Sequence, residues 1–378
     1  QIKGGEVTAL AGYLGVSLAT VNDGPPFWGT PYDRFETINW EQAAQQSALV
    51  SGLIRSLARA PKLHTGRMPA NGFSTLTGKA NFLRHGELFA DQPAPGSIIL
   101  AYHGPGQYYS LVDTMGTFQI KGIADRRHLL DNVILEGYRF DHETGAVKWA
   151  VDKKQTGLYA YRVAMRRNAV ETNLVMFACK ETTIFNLLEP RTFRYMTRMQ
   201  LLDGRMEALP LRYWWSRIDT RSSTIASIYL EPGTRFKMTL SDTVFNKKVI
   251  LTNASAAHPE GLGYLIDDWP FLSHTELKIA RDMWELLGPR INTLETHGIF
   301  NERIRNLHQE GTAALKKAAQ ALGEKKFDTF SEEARRSWAL ANRVYEHVKT
   351  TQKDVHYGVL FYIDLFVPFD YCLERLLF

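Results

Sequence analysis

Three stretches of the chain differ in the period of their hydrophobic positions. Near the N-terminus, apolar and small residues recur at intervals of three and four from Trp40 to Leu57, which predicts an amphipathic helix over 39–58. Asn39 stands at the N-cap position of this helix, with Gln42 three residues later. The apolar run 16–21 predicts a short strand before it, and the two together are typical of an α/β unit.

Short apolar runs separated by turn residues dominate the chain from about 73 to 270. They lie at 97–102, 117–120, 133–138, 147–151, 174–179, 227–230, 236–240 and 248–251. Strands at this spacing, without long helices between them, predict β-sandwich modules.

From 273 onward the pattern is helical again. One apolar stripe runs from Ile304 to Leu322 and a second from Phe330 to Val348, each with spacings of three and four. Thr329 and Glu332 form a capping-box pattern near the start of the second stripe. The two stripes predict an αα-hairpin whose second arm continues into an apolar segment.

That apolar segment, 357–378, is rich in Leu, Phe, Val and Ile and is interrupted by Asp364 and Asp370. The apolar residues favour insertion into a membrane, and the two central aspartates oppose it by a similar amount. A membrane-associated helix and a helix that docks on a partner or on its own core therefore both stay open. The side chains that would make either contact are Phe361, Leu365, Phe366, Phe369 and Leu373.

These patterns predict a multi-domain α+β protein. Its expected parts are an α/β domain end at 1–60, a linker at 61–72, a β-sandwich at 73–155, a second β-rich domain at 156–272, a helical hairpin or stalk at 273–353 and an apolar helix at 354–378.

Composition narrows the classes of function. The chain has 378 residues and carries 45 Lys and Arg against 40 Asp and Glu, a net charge of +5 that is too small to indicate a nucleic-acid partner. The two cysteines, Cys179 and Cys372, are far apart and form no CxxC motif, so neither a disulfide framework nor a structural zinc site is expected.

The sequence offers no catalytic residue and no metal-binding set. HExxH and GxSxG motifs are absent, and the glycines at 104–106 lack the strand and helix of a phosphate-binding loop. His128 has aspartates on both sides, but Arg126 and Arg127 adjoin it and disfavour a cation there. No cofactor is expected on these grounds.

One resemblance bears on that conclusion. The run GYLGVSLAT at 12–20, the run GTPYD at 29–33 and the helix that follows resemble the C-terminal end of the M28 family of zinc aminopeptidases. In that family the second run reads His-Thr-Pro-x-Asp, and its histidine binds zinc. Gly29 stands at that position here and has no side chain to bind a metal. The resemblance over 12–58 therefore implies descent from a peptidase fold without its chemistry.

A second resemblance concerns the β-rich part. Residues 97–151, with DTMGTFQI at 113–120 and EGY at 136–138, are similar to the transthyretin-like regulatory module of carboxypeptidases, which implies a non-catalytic β-sandwich. The order of peptidase-like domain, β-sandwiches, helical hairpin and apolar helix is similar to that of bacterial envelope proteins with an FtsX-like membrane part.

Three hypotheses of function follow. The first is a non-catalytic extracytoplasmic scaffold, at the periplasmic or extracellular face of the cytoplasmic membrane, that binds a protein partner or itself. The second is a fragment of a zinc-dependent aminopeptidase whose other ligands lie outside this chain, the one case in which zinc is expected. The third is a carbohydrate- or peptide-binding module that uses Trp214-Trp215 and Tyr108-Tyr109. Enzymatic activity stays open, with the missing ligand against it.

Under the scaffold hypothesis, the polar face of the hairpin is the expected interaction surface. Its candidate residues are Arg303, Lys316, Lys317, Arg335 and Arg336. A solvated outer face would show the same mixture of charges, so both interpretations stay open.

Overall fold

The fold is seen in a computed structural model that describes residues 34–61, 73–104, 106–124, 132–185, 196, 198–216, 225–241 and 248–377. The predicted strand at 16–21, Gly29, most of the linker at 61–72 and His128 lie outside the described residues.

The predicted N-terminal helix is confirmed. After a 3₁₀ turn at Phe35–Thr37, helix α1 spans Trp40–Arg59. The side chain of Asn39 caps it by accepting a hydrogen bond from the backbone N–H of Gln42 at 3.1 Å. None of the side chains of α1 is buried, so its apolar stripe stays uncovered.

Among the described residues, nine strands form the first sheet. They are β1 (Ser74–Leu83), β2 (Gln92–Pro93), β3 (Ile98–His103), β4 (Gly106–Leu111), β5 (Thr117–Ile123), β6 (Val133–Phe140), β7 (Val147–Val151), β8 (Arg162–Val163) and β9 (Ala169–Ala178). Two single-turn helices, α2 (Lys153–Thr156) and α3 (Leu158–Tyr161), lie between β7 and β8.

Strand β1 is the centre of this sheet, because it pairs with β2, β5 and β9. The main strand order is β2-β1-β9-β7-β6-β3-β4, with β8 beside β6, and only the β1–β9 pair is parallel among these described strands. The sheet folds over one core that contains Leu76, Phe118, Leu135 and Phe177. This architecture agrees with the predicted β-sandwich module.

Two further sheets of four strands follow in the described part of the chain. One has the order β12 (Tyr213–Trp215), β13 (Ala226–Leu230), β10 (Lys180–Ile184) and β17 (Phe271–Leu272). The other has the order β11 (Arg198–Asp203), β14 (Arg235–Ser241) and β15 (Lys248–Leu251), with β16 (Tyr264–Leu265) beside β14. The domain limits given above stay predictions, although the first sheet continues past residue 155 to Ala178.

The C-terminal region holds three helices rather than the predicted two: α4 (Thr275–Thr296), α5 (Glu302–Gly323) and α6 (Phe327–Leu377). The hairpin prediction is thus corrected, because α4 also packs on α6. Residues of the two later sheets and of all three helices share one hydrophobic core, which includes Leu240, Leu272, Trp284 and Val344. The predicted capping box is wrong, since α6 begins at Phe327 and Thr329 lies within its first turn.

The three helices meet at one close contact. The Trp284 indole N–H of α4 donates to the Ser337 hydroxyl of α6 at 2.9 Å, and this hydroxyl donates to the Gly311 carbonyl of α5 at 2.7 Å. A Cβ atom at position 311 would lie 2.0 Å from the ring of Trp284. The indole can occupy this place only because residue 311 has no side chain.

We expect Gly311→Ala to lower the free energy of unfolding by about 1 to 3 kcal/mol, because the new methyl group would displace the indole and break its hydrogen bond. Gly323→Ala at the end of the same helix is the matched control, since no atom outside the neighbouring backbone lies within 4 Å of the added methyl group. The control should keep its stability or gain about 0.5–1 kcal/mol from the better helix propensity of alanine. Equal stability of the two variants in urea unfolding would contradict this account.

Candidate functional site

A single residue connects the first sheet to the rest of the fold. Strand β9 ends at Ala178 and β10 begins at Lys180, so only Cys179 lies between them. Cys179 is buried, and its backbone N–H donates to the Lys148 carbonyl of β7 at 2.9 Å. Burial raises the pKa of its thiol far above the ordinary value, so this cysteine stays protonated. A connection of one residue is too short to act as a flexible linker between the two parts.

Aromatic side chains from the later strands enter the core of the first sheet. The Trp214 indole N–H donates to the Tyr138 hydroxyl at 3.1 Å, and that hydroxyl donates to the Glu136 carboxylate at 3.1 Å. The ring of Tyr229 lies 5.2 Å from that of Tyr138. Burial, together with the charge of Glu136, raises the pKa of Tyr138 well above its usual value. The two β-rich parts therefore share a buried boundary.

Arg212 strengthens this boundary at its edge. Its guanidinium donates to the carbonyl of Leu83 at 3.1 Å and to that of Arg84 at 3.3 Å, both at the end of β1. The same group lies 3.4 Å from the carboxylate of Glu231. Because the arginine is almost fully buried, these partners replace water around its charge.

The aromatic pairs proposed as a ligand platform have other surroundings. Trp214 is buried at the boundary described above, and the ring of Trp215 is covered by the ammonium group of Lys153 at 3.2 Å. Tyr108 is half-buried and donates to the Gly122 carbonyl at 3.4 Å, which leaves Tyr109 as the exposed member of its pair. The arrangement does not form an open stacking surface, which weakens the carbohydrate-binding hypothesis.

Lys153, which follows β7 and covers the ring of Trp215 in β12, provides a test of the boundary between the two β-rich parts. Burial, with a smaller contribution from the charge of Arg162, lowers the pKa of Lys153 from 10.5 to about 8. The folded state therefore releases this proton at lower pH than the unfolded chain does, and the free energy of unfolding increases as the pH rises through this interval.

We expect the wild-type protein to gain about 2 kcal/mol more than Lys153→Met between pH 7 and pH 9.5, because the methionine variant lacks this titration. Urea unfolding at the two pH values measures the difference, and the tyrosines that begin to titrate are common to both proteins. An identical pH dependence of the two proteins would show that Lys153 has an ordinary pKa.

Helix α6 is the longest element of the described structure. Its 51 residues make it about 77 Å long at 1.5 Å per residue. Its buried side chains lie between Phe330 and Val348, and beyond Thr351 none is buried. We call residues 351–377 the free segment, which extends about 40 Å beyond the bundle. None of the helices in the described parts combines the length and apolar character needed to cross a membrane.

The five apolar residues predicted to make a membrane or docking contact all lie exposed on the free segment. The exposed fractions are 65% for Phe361, 56% for Leu365 and 59% for Phe369, and Phe366 and Leu373 are exposed as well. Further apolar side chains on the other sides of the helix, such as Val367, are equally uncovered. Apolar side chains thus cover more than one side of the segment.

The five basic residues of the hairpin do not form a single open patch. Lys317 forms a close ion pair with Glu333, and Arg336 lies 3.9 Å from Glu333 and 4.0 Å from Glu310. Arg303 and Lys316 are exposed, and Arg335 is half-buried. Their role as an interaction surface stays a prediction.

The structure offers no metal centre in the part of the chain that it describes, where no group of three or more His, Cys, Asp or Glu residues is placed to hold an ion. Gly29, the position of the missing ligand, lies outside that part.

Comparisons with known proteins add little. No protein-family model matches the chain, and no curated protein matches it. The M28 and regulatory-module resemblances therefore gain no support and stay resemblances.

Several solved structures align with part of the chain. The TIE protein of Bacillus anthracis has 8% identity and a TM-score of 0.16, with 47% of this chain and 30% of that one covered. A fimbrial protein of Bacteroides ovatus has 9% identity and a TM-score of 0.20, with 49% and 46% covered. The shaft pilin SpaA of Lactobacillus rhamnosus GG has 7% identity and a TM-score of 0.19, with 47% and 92% covered. This chain thus spans less than half of the first two proteins, and scores this low carry no inference about fold or function.

Proposed function

We propose that the chain is a non-catalytic scaffold module that docks onto a protein through the free segment of α6. The proposal includes an extracytoplasmic location and descent from a peptidase architecture, and these two parts depend on the sequence resemblances to M28 peptidases and envelope proteins. The observation that carries the docking function is the uncovered apolar surface of residues 351–377.

Apolar surface of this extent is unfavourable in water. Each fully buried Leu or Phe side chain gains about 1.5–3 kcal/mol relative to an exposed one, and the free segment exposes many such side chains in series. Contiguous apolar patches on proteins mark sites of contact with other molecules. The segment is therefore a docking element in this proposal.

The remainder of the molecule supports the scaffold role by holding that element in place. The first half of α6 shares a core with two sheets, and those sheets share a buried boundary with the first sheet. Since one residue joins the two β-rich parts, the free segment has a fixed direction relative to all three sheets. A docking arm with a fixed direction can position the modules of an assembly.

Photocrosslinking in cells that produce the protein tests the docking role. A benzoylphenylalanine placed at Phe366, in the free segment, should give discrete crosslinked protein bands after irradiation. Phe89 is the matched control, because it is also an exposed phenylalanine but lies on a loop of the first sheet. The proposal fails if position 366 gives only lipid adducts, or no more protein product than position 89.

Zinc analysis tests the non-catalytic part of the proposal. Because Gly29 cannot bind a metal, we expect the purified chain to contain no stoichiometric zinc and to release no amino acid from unblocked dipeptides. Zinc at one atom per chain together with turnover would replace the scaffold by the aminopeptidase alternative.

A further inference from the structure

Helix α6 carries one repeat along nearly its whole length. Apolar or small residues recur with alternating spacings of four and three from Phe330 to Leu376. This is the heptad spacing of helices that pack along a common seam. The members of this seam, taken in order, are Phe330, Ala334, Ser337, Ala341, Val344, Val348, Thr351, Val355, Gly358, Tyr362, Leu365, Phe369, Cys372 and Leu376.

The first half of the seam already has its partners. Every member from Phe330 to Val348 is buried against the bundle, and Ser337 is the residue that contacts both Trp284 and Gly311. The flanking residues Trp338 and Leu340 are buried too, since α6 packs against α4 as well as α5. The heptad positions of α6 are therefore an established helix–helix interface.

The second half of the seam continues in phase with the first but has no partner in the described structure. The helix is unbroken through residues 351–377, including Pro368, so the heptad spacing continues from Val348 to Leu376. On a straight helix this seam turns around the axis by about 20° per heptad, and the left-handed supercoil of paired helices removes that drift. None of these later members is buried. An interface used in one half of a helix is thus repeated, uncovered, in the other half.

The charges of the free segment lie off the seam. With Leu365 and Cys372 at d positions and Tyr362 and Phe369 at a positions, the carboxylates of Asp364, Asp370 and Glu374 occupy the outer c, b and f positions. Two free segments can therefore pair without bringing carboxylates together across the interface.

The flanking positions bear on which helix covers the seam. In coiled coils, charged residues at e and g positions select one partner over another. The e and g positions here hold Val359, Phe361, Phe366 and Leu373, with Arg375 and Pro368 completing the set. These side chains are mostly apolar and provide few charges that would select a different, charged helix. A second copy of the same segment can therefore pack against the seam.

From this continuity we infer that the free segment is covered by a second copy of the same chain, with the two seams from Val355 to Leu376 packed against each other. This inference depends on the proposed docking function and names its occupant. The apolar flanks widen the face, as Trp338 and Leu340 do in the bundle, so a third copy can join the same assembly.

Light scattering after size-exclusion chromatography tests the inference on the full chain in detergent-free buffer. We expect the wild-type protein to have two or three times the mass of one chain. The double variant Leu365→Asp/Phe369→Asp should have the mass of one chain, because it places carboxylates inside the seam. Since both side chains are exposed in the single chain, the fold should survive, which far-UV circular dichroism checks.

Leu360→Asp/Val367→Asp is the matched control. It adds the same charge to the same segment, but both residues lie at outer f positions. This variant should keep the wild-type mass. A wild-type protein with the mass of one chain, or equal dissociation of both double variants, would overturn the inference.

The native cysteines report the alignment of the copies. In a parallel, in-register pair the two Cys372 side chains share one d layer, so mild oxidation should give a disulfide-linked dimer that Cys372→Ser abolishes. Cys179 is buried and should not contribute. A multimer without this disulfide supports the second copy in an antiparallel alignment.

The mass measurement and the crosslinking experiment distinguish the failure of this inference from the failure of the proposed function. A wild-type protein with the mass of one chain that still crosslinks to another protein from position 366 rejects the second copy but retains the docking role. Failure of both experiments rejects both proposals.

Discussion

The indole ring of Trp284 occupies the space that a side chain at position 311 would need, and the direction of the whole helical region depends on this contact. The ring brings α4 against α5, and its N–H reaches Ser337 on α6. Because Ser337 also bonds the Gly311 carbonyl, no one of the three helices can slide without breaking a buried hydrogen bond. The first half of α6 is thereby fixed, and the free segment takes its direction from it.

The helices also hold a fixed orientation relative to the β-rich parts, and buried side-chain contacts rather than covalent links maintain it. The two later sheets have no core independent of the helices, since Leu240 and Leu272 belong to the same cluster as Val344. The first sheet has its own core, but Trp214 and Tyr229 of the later strands complete it. The two largest cores of the described residues therefore meet at β12 and β13, whose side chains enter both. Unfolding of one would expose apolar surface of the other, which favours cooperative behaviour.

The sequence was most informative where a hydrophobic period had no interruption. Helix α1, the strand at 147–151 and both apolar stripes of the last two helices were predicted correctly.

Strand β1 was missed because Gly78 and Lys79 interrupt its hydrophobic pattern. Gly78 is nevertheless required there, since a Cβ at this position would lie 2.0 Å from the Thr172 carbonyl oxygen. The boundary residues Arg212 and Lys153 were also missed, since no local pattern indicates a pairing of distant strands. The stripe that ends at Val348 and the apolar segment at 357–378 were predicted as separate features, because they differ in composition. In the structure both belong to one helix and share one heptad spacing.

The one-residue connection at Cys179 has a mechanical consequence. A pull on the far end of α6 meets no flexible tether between the two β-rich parts. The load therefore reaches the first sheet through Cys179 and through the buried contacts of Trp214 and Arg212. With an arm of about 40 Å, a tilt of about 10° at the bundle displaces the tip by about 7 Å. A small rotation of the helical bundle is thus amplified into a displacement of several ångströms at the tip of the free segment.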